Sequence, residues 1–252
     1  VGLLASLSLI AITLLLSYLE RAALEWDIAV GTVRAFVQLT LVGYVIKLIF
    51  GLDRWYYVLL MVFVMMGVAS VEGRYRSKVK LPGQVGIIFV AMAVGVLITM
   101  VLTALFVVKV RPWYSPRYFI PIAGMILGNS MKGAALVMNR LKGEIGLRRG
   151  EIEAALALGA TARKASEIAT REAMRAAMIP AIAGMVTAGI IHFPGMMTGQ
   201  IIAGGDPLSA VQYQIVIYYM IAACVGLTCF VAIRLAARRF FTRRHQLVKE
   251  LL

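Results

Sequence analysis

Apolar residues fall along this chain in long runs separated by short polar clusters, and the runs set the elements. Seven are long enough to cross a bilayer as helices: 1–19, 28–50, 54–71, 85–108, 118–138, 179–203 and 209–233. A hydrocarbon core of about 30 Å needs roughly 20 helical residues at about 1.5 Å each. No basic stretch precedes the first run and no small-residue cleavage site follows it, so it reads as a span and not a signal peptide. The pattern predicts an all-α polytopic membrane protein of about seven transmembrane helices, organised as one domain over residues 1–252.

The exception to the apolar pattern is 139–178, a loop rich in both charge and helix formers. Within it, Ala154, Ala155, Leu156, Ala157 and Leu158 favour helix, Gly159 suits a left-handed C-terminal turn, and Thr161 suits the start of a second helix. That second helix is expected over 162–178, with Ala165, Ile168, Ala169, Glu172 and Ala176 on one side and Arg163, Lys164, Arg171 and Arg175 round the rest. Such a segment cannot lie in hydrocarbon. It either rests on lipid headgroups or is seated by a partner.

Several spans carry unusual residues. Arg34 and Gln38 lie one turn apart in the second, where Arg34 either snorkels to the headgroups or faces a cavity. Trp55, Tyr56 and Tyr57 open the third as an aromatic belt, and 111–117 reads as an interfacial loop before the fifth. The fifth holds Gly124 and Gly128, a pair spaced for close helix contact, and Asn129 and Lys132, three apart on one face. The sixth is interrupted at His192–Gln200, where Pro194 removes a backbone hydrogen bond and Gly195 and Gly199 loosen the rest. Broken backbone at that depth must be covered by protein or water.

Composition sharpens this picture. The chain is 61% hydrophobic and 15% charged, with mean hydropathy +0.87, as an integral membrane protein requires. Its net charge of +14 would suit nucleic acid, but position argues otherwise. With the C-terminus placed in the cytoplasm, 19 Lys and Arg fall on the cytoplasmic side and five outside. This positive-inside bias puts the N-terminus outside and the 139–178 loop inside, and leaves nucleic acid a remote partner. Cys224 and Cys229 share one apolar run and form no disulfide framework or zinc site.

Spacing in the loop points to a partner. Glu153-Ala154-Ala155, three residues, then Gly159 resembles the cytoplasmic loop through which ABC-transporter permeases dock on their ATPase subunit, although the nearest proline, Pro180, lies 21 residues past the glycine. Strings across the whole chain are similar to the FetB-like permeases: P-I-A-G-M-I at 121–126 with Gly128-Asn129, L-G-A-T at 158–161, P-G-M-M-T-G at 194–199, A-G-G-D-P at 203–207, Y-Q-I at 213–215 and R-H-Q-L at 244–247. Arg34, Gln38, Gly43 and Tyr44 fit the same likeness. That family comprises bacterial permeases associated with iron export and resistance to oxidative stress, with plant relatives linked to aluminium tolerance.

The resemblance implies a permease of the bacterial inner membrane that works with a separately encoded ATPase, the partner binding ATP and Mg. The chain itself has no G-x-x-x-x-G-K-[ST] phosphate loop, so no nucleotide cofactor and no catalytic residue are expected in it. Two nucleotide sites imply a homodimer with two ATPases, and transport by alternating access. Coupling is assigned to Glu153, Ala154, Ala155, Gly159, Ala160 and Thr161. Pathway or hinge candidates are Arg34, Gln38, Asn129, Lys132, His192, Pro194, Gly195, Met196, Met197 and Gln200. Metal ligands stay unassigned: the 14 methionines offer soft sulfur but are also ordinary packing residues.

Other readings remain open: an ABC permease for another solute, a secondary transporter, an accessory subunit, or an intramembrane enzyme. A secondary transporter would need paired carboxylates within a span, and Glu72 and Asp206 lie at ends. An enzyme would have to pair His192 with a serine or Asp206.

Overall fold

The computed structural model describes residues 2–52, 54–77, 79–103, 114–242, 244–248 and 251. They form ten α-helices in chain order, with no β-strand among the described residues beyond two isolated bridges. This is an all-α polytopic membrane protein: among the described residues, five helices are long and apolar enough to cross a bilayer. The helices group into two compact units, Val1–Arg54 and Trp55–Leu252.

The first unit is a helical hairpin of α1 (Gly2–Leu19) and α2 (Glu25–Leu52). Its turn is held from inside. Ser17 is buried, donates to Glu25 Oε1 at 2.8 Å, and accepts from the Leu24 N–H at 3.2 Å. Arg21 and Ala23 take left-handed φ values of 51° and 55° to close it, a strain that the Ser17 contacts must outweigh. The apolar faces of both helices are largely exposed, as helices solvated by lipid should be.

The second unit holds α3 (Trp55–Arg76), α4 (Gln84–Leu102), α5 (Pro116–Leu147), α6 (Arg149–Ala157), α7 (Ala162–Ala165), α8 (Glu167–Thr187), α9 (Gly195–Ile202) and α10 (Pro207–Ala237), followed by a 3-10 turn at Arg238–Phe240. Helix α10 packs on α4 and α5, and α5 in turn on α3 and α8. Glycines set the closest approaches. A Cβ on Gly95 of α4 would lie 2.5 Å from Thr228 Oγ1 and 3.0 Å from the Cys224 carbonyl oxygen of α10. One on Gly133 of α5 would lie 2.9 Å from Val225 Cγ1 and 3.1 Å from Cys229 Sγ. Contact this close is how apolar helices gain packing energy where lipid offers no hydrophobic contrast. Ser130 Oγ donates to Cys224 Sγ at 3.2 Å inside this seam. The pair expected to pack closely does so only in part: a Cβ on Gly124 would lie 3.3 Å from Met65 Cε, while one on Gly128 would meet nothing within 4 Å.

Two sequence expectations are corrected here. The fifth helix does not stop at Met138. It runs on to Leu147, because Leu141 and Ile145 stay fully buried and extend the face of Val137 and Met138. The second loop helix is not one piece over 162–178 but a single turn, α7, then α8, which passes through Pro180 to Thr187. Its buried stripe is Ala169, Ala173 and Ala177, while Ile168 is exposed. The sixth run is interrupted, as its proline and glycines predict. Its two parts are the end of α8 and the short α9. Residues 104–108 of the fourth run, Arg111, Pro112 and Trp113 of the next loop, Lys78, Arg243 and Lys249 lie outside the described residues.

Candidate functional site

Two places in the second unit gather the sequence candidates: the elbow between α6 and α7, and the break between α8 and α9.

The elbow follows from Gly159. The Ala160 N–H donates to the Ala155 carbonyl and the Gly159 N–H to the Leu156 carbonyl, each at 3.0 Å, while Gly159 takes φ +90°. This pair of bonds is a Schellman ending, which satisfies the last carbonyls of α6 and turns the chain sharply. Thr161 then caps α7, its hydroxyl accepting from the Lys164 N–H at 3.4 Å. Leu158 at the tip is 89% exposed. Glu153 pairs with Arg149 one turn back at 2.9 Å, and Ala154 is exposed beside it. The six coupling candidates therefore share one projecting corner, with α6 anchored by fully buried Ile152.

The tail after α10 braces that corner. Phe241 bridges to Leu247, and the Thr242 N–H donates to the Gln246 carbonyl at 2.8 Å. This small loop brings His245 to α7, where its Nδ1 accepts from the Ala162 N–H at 3.2 Å. Sequence reasoning assigned His245 no role. Its string was visible, but nothing in spacing joins positions 83 residues apart. At the start of α8 the Lys164 ammonium, hydrogen-bonded to Glu167 at 2.7 Å, holds that carboxyl below its ordinary range, with help from Arg171 and Arg163.

The break lies one turn earlier than expected. Helix α8 ends at Thr187, residues 188–194 form the interruption, and α9 begins at Gly195. Gly189, with φ +78°, makes the turn, and its N–H donates to the His192 carbonyl at 2.9 Å. Pro194 sits at the N-cap of α9, where a missing N–H removes no helix bond. Gly195, Met196, Met197, Gly199 and Gln200 are thus helical, correcting their place in the break.

His192 ties the break to α10. The Thr187 hydroxyl donates to the Ala183 carbonyl at 2.9 Å, so it accepts from His192 Nδ1–H at 3.2 Å, and Nε2 accepts from the Tyr218 hydroxyl at 3.2 Å. Both ring nitrogens are occupied, and Asp206 spends its carboxylate on the Ser209 N–H and hydroxyl at 2.8 Å each. His192 and Asp206 are not brought together as a catalytic pair.

Beside the break is a cavity of about 360 Å³, lined by Met185, Phe193, Pro194, Met197, Gln214, Tyr218 and neighbours. Gln214 is 7% exposed, and its Oε1 has no hydrogen-bond partner. Gln200 Oε1 on α9 is likewise unpartnered. A buried amide oxygen left open is costly, so both oxygens can take a donor. Carbonyl oxygens and thioethers without a carboxylate are neutral donors. Among the described residues no three His, Cys, Asp or Glu gather as a metal site. Sequence reasoning gave Gln214 no role beyond the string Y-Q-I at 213–215, and Tyr218, one of two adjacent tyrosines, none at all.

The remaining candidates lie elsewhere. Asn129 spends its amide on the Met125 carbonyl of its own helix at 2.8 Å, and Lys132 is exposed on α5. Arg34 and Gln38 are exposed on α2 in the first unit.

Comparison with known proteins completes the description. The chain matches the uncharacterised protein family UPF0014 over residues 1–241. It is 38% identical over 239 residues to the UPF0014 membrane protein YjkA of Bacillus subtilis, covering 94% of each chain. It is also 38% identical over 243 residues to the probable iron export permease protein FetB of Escherichia coli, covering 96% of this chain and 92% of that one. To the protein ALUMINUM SENSITIVE 3 of Arabidopsis thaliana it is 33% identical over 243 residues, covering 96% and 88%. No solved structure matches it at a significant level.

Proposed function

Because the chain belongs to the UPF0014 family of membrane proteins, we propose that it is the permease subunit of an ABC transporter, exporting a metal cation with iron as the leading substrate. The observation that carries this reading is the elbow at Gly159. It is a compact exposed corner, carried on α5 and α8, which both reach into the core. A partner that pushes on such a corner moves long helices and not a slack loop. One turn of helix, α7, joins the elbow to α8, which leads to the break at Gly189, so a displacement at one is delivered to the other. The name of the Escherichia coli relative supplies the permease class and the iron.

In this reading the elbow faces the cytoplasm and two copies of the chain work with two ATPases, which bind the ATP and Mg. Closure of the ATPase pair tilts α8 and switches the membrane helices between inward-open and outward-open states. The cation passes neutral oxygen and sulfur donors, Gln214, Gln200 and Met197 among them, that release it readily.

The test is reconstitution. The chain is co-expressed with an ABC-type ATPase from the same genome, and the purified complex is placed in liposomes. ATP-dependent movement of ferrous iron, with ATPase activity raised by the permease, is the expected result. Movement of a solute driven by an ion gradient without ATPase would make it a secondary transporter. No stimulation and no transport would leave an accessory subunit.

A further inference from the structure

We infer that the groove between α7 and the C-terminal end of α10 binds the headgroup of an anionic phospholipid. The groove is a cavity of about 420 Å³ whose lining divides sharply by chemistry. Arg163 from α7, Arg234 from α10 and Arg238 just after it supply three positive charges, while Phe230, Ile233 and Phe241 supply an apolar wall. It is continuous with a second hollow of about 410 Å³ that shares Arg163 and Arg234 and adds Lys164 and Glu167.

Charge decides what fits. Glu167 is the one carboxylate in this lining, and it is already held by Lys164 at 2.7 Å and Arg171 at 3.5 Å. Among the described residues, none of Arg163, Arg234 and Arg238 is within ion-pair distance of a carboxylate. The C-terminal carbonyls of α10 oppose an anion, but the N-terminus of α8 on the other wall favours one by about the same half charge. The guanidinium groups therefore dominate.

Depth and apolar lining select a lipid over a soluble anion. Helix α10 has 31 residues. At about 1.5 Å each it is roughly 46 Å long, against a hydrocarbon core of about 30 Å. Its last turn, which carries Arg234, and the 3-10 turn that opens at Arg238 therefore extend past the hydrocarbon to the level of phospholipid phosphates. The Arg234 guanidinium lies 5.2 Å from the Phe230 ring centroid, so charge and apolar surface meet in one wall of the groove. Basic pockets at the ends of membrane helices select anionic headgroups in this way. An acidic surface of a soluble partner would leave the apolar wall unused.

The experiment uses the purified full chain in neutral detergent, titrated with dioctanoyl phosphatidylglycerol while its unfolding temperature is followed. A saturable rise is expected, absent with dioctanoyl phosphatidylcholine and with inorganic phosphate. Removing all three charges (Arg163→Gln, Arg234→Gln, Arg238→Gln) should weaken the apparent affinity about 100-fold, near fivefold for each. Arg171→Gln with Arg175→Gln, outside the groove, should leave it unchanged. If the triple variant does not fold, Arg163→Gln alone, exposed on α7, should still show the fivefold loss. An equal response to phosphatidylcholine, an equal response to inorganic phosphate, or an unchanged titration in the variants overturns the assignment. So does a triple variant that keeps its lipid response but no longer co-purifies with an ATPase, which would make the groove a protein-docking surface.

Discussion

Replacing Gly159 by alanine isolates the elbow's geometry from everything else about it. A Cβ built at this position meets nothing within 4 Å, so the substitution causes no clash. What it does cause is backbone strain, because Gly159 sits at φ +90°. An L-residue held in the left-handed region costs about 1–2 kcal/mol. The loop can relieve that cost only by giving up the Ala160 and Gly159 hydrogen bonds that end α6. If docking on an ATPase needs the elbow as it stands, the same free energy comes out of the docking equilibrium. The affinity for the ATPase should fall roughly 5- to 30-fold. The control lies nine residues upstream in the same segment. Gly150 also has nothing within 4 Å, but it is inside α6 without a positive φ, so Gly150→Ala should strengthen the helix by about 0.5–1 kcal/mol and leave docking intact. Titrating each permease variant into ATPase and following stimulated ATP turnover gives both affinities. Wild-type affinity for Gly159→Ala would refute the elbow as the coupling element, and equal losses at both glycines would mean that general loop stability is being read.

Packing of α10 should be sensitive at its two glycine contacts. Gly95→Ala and Gly133→Ala each drive a Cβ to within 3 Å of α10 and should destabilise the chain by about 1–3 kcal/mol in detergent, with Val225→Ala restoring part of the Gly133→Ala loss; unchanged melting would show that α10 shifts freely. The cap of α10 should be acid-sensitive. The Ser209 N–H and hydroxyl hold the Asp206 carboxyl below its ordinary range, so the cap stabilises fully above about pH 4 and is lost as pH falls through the lowered folded value. The melting difference between wild type and Asp206→Asn should shrink on acidification, and a constant difference would contradict the assignment. At the break, Gly189→Ala, strained at φ +78°, should reduce transport in proteoliposomes more than Pro194→Ala with Gly195→Ala, since the proline already sits at a helix start; the reverse order would put the hinge at the proline.

What could be read from sequence was local, and what could not was contact. The apolar runs become helices because a chain in lipid must satisfy its backbone internally, whatever its neighbours are. Gly159 and Thr161 were legible for the same reason, since a left-handed turn and a cap are properties of a few adjacent residues. Local rules failed where a distant surface decides. Charged residues after Met138 suggest an end to α5, yet the helix persists because Leu141 and Ile145 are buried in the core. Alanine-rich α8 offers several equivalent faces, and only packing against α5 selects Ala169, Ala173 and Ala177. Likewise Gly124 and Gly128 carry the spacing of a contact pair, while Gly95 and Gly133 make the tighter contacts because α10 lies against them. The break combines both cases. Pro194 announces an interruption but cannot say on which side of itself the chain turns; that depends on Gly189, and on His192 finding Tyr218 across on α10. A residue that ends one helix and a residue that holds the end in place are thus different signals, and only the first is written within a turn of where it acts.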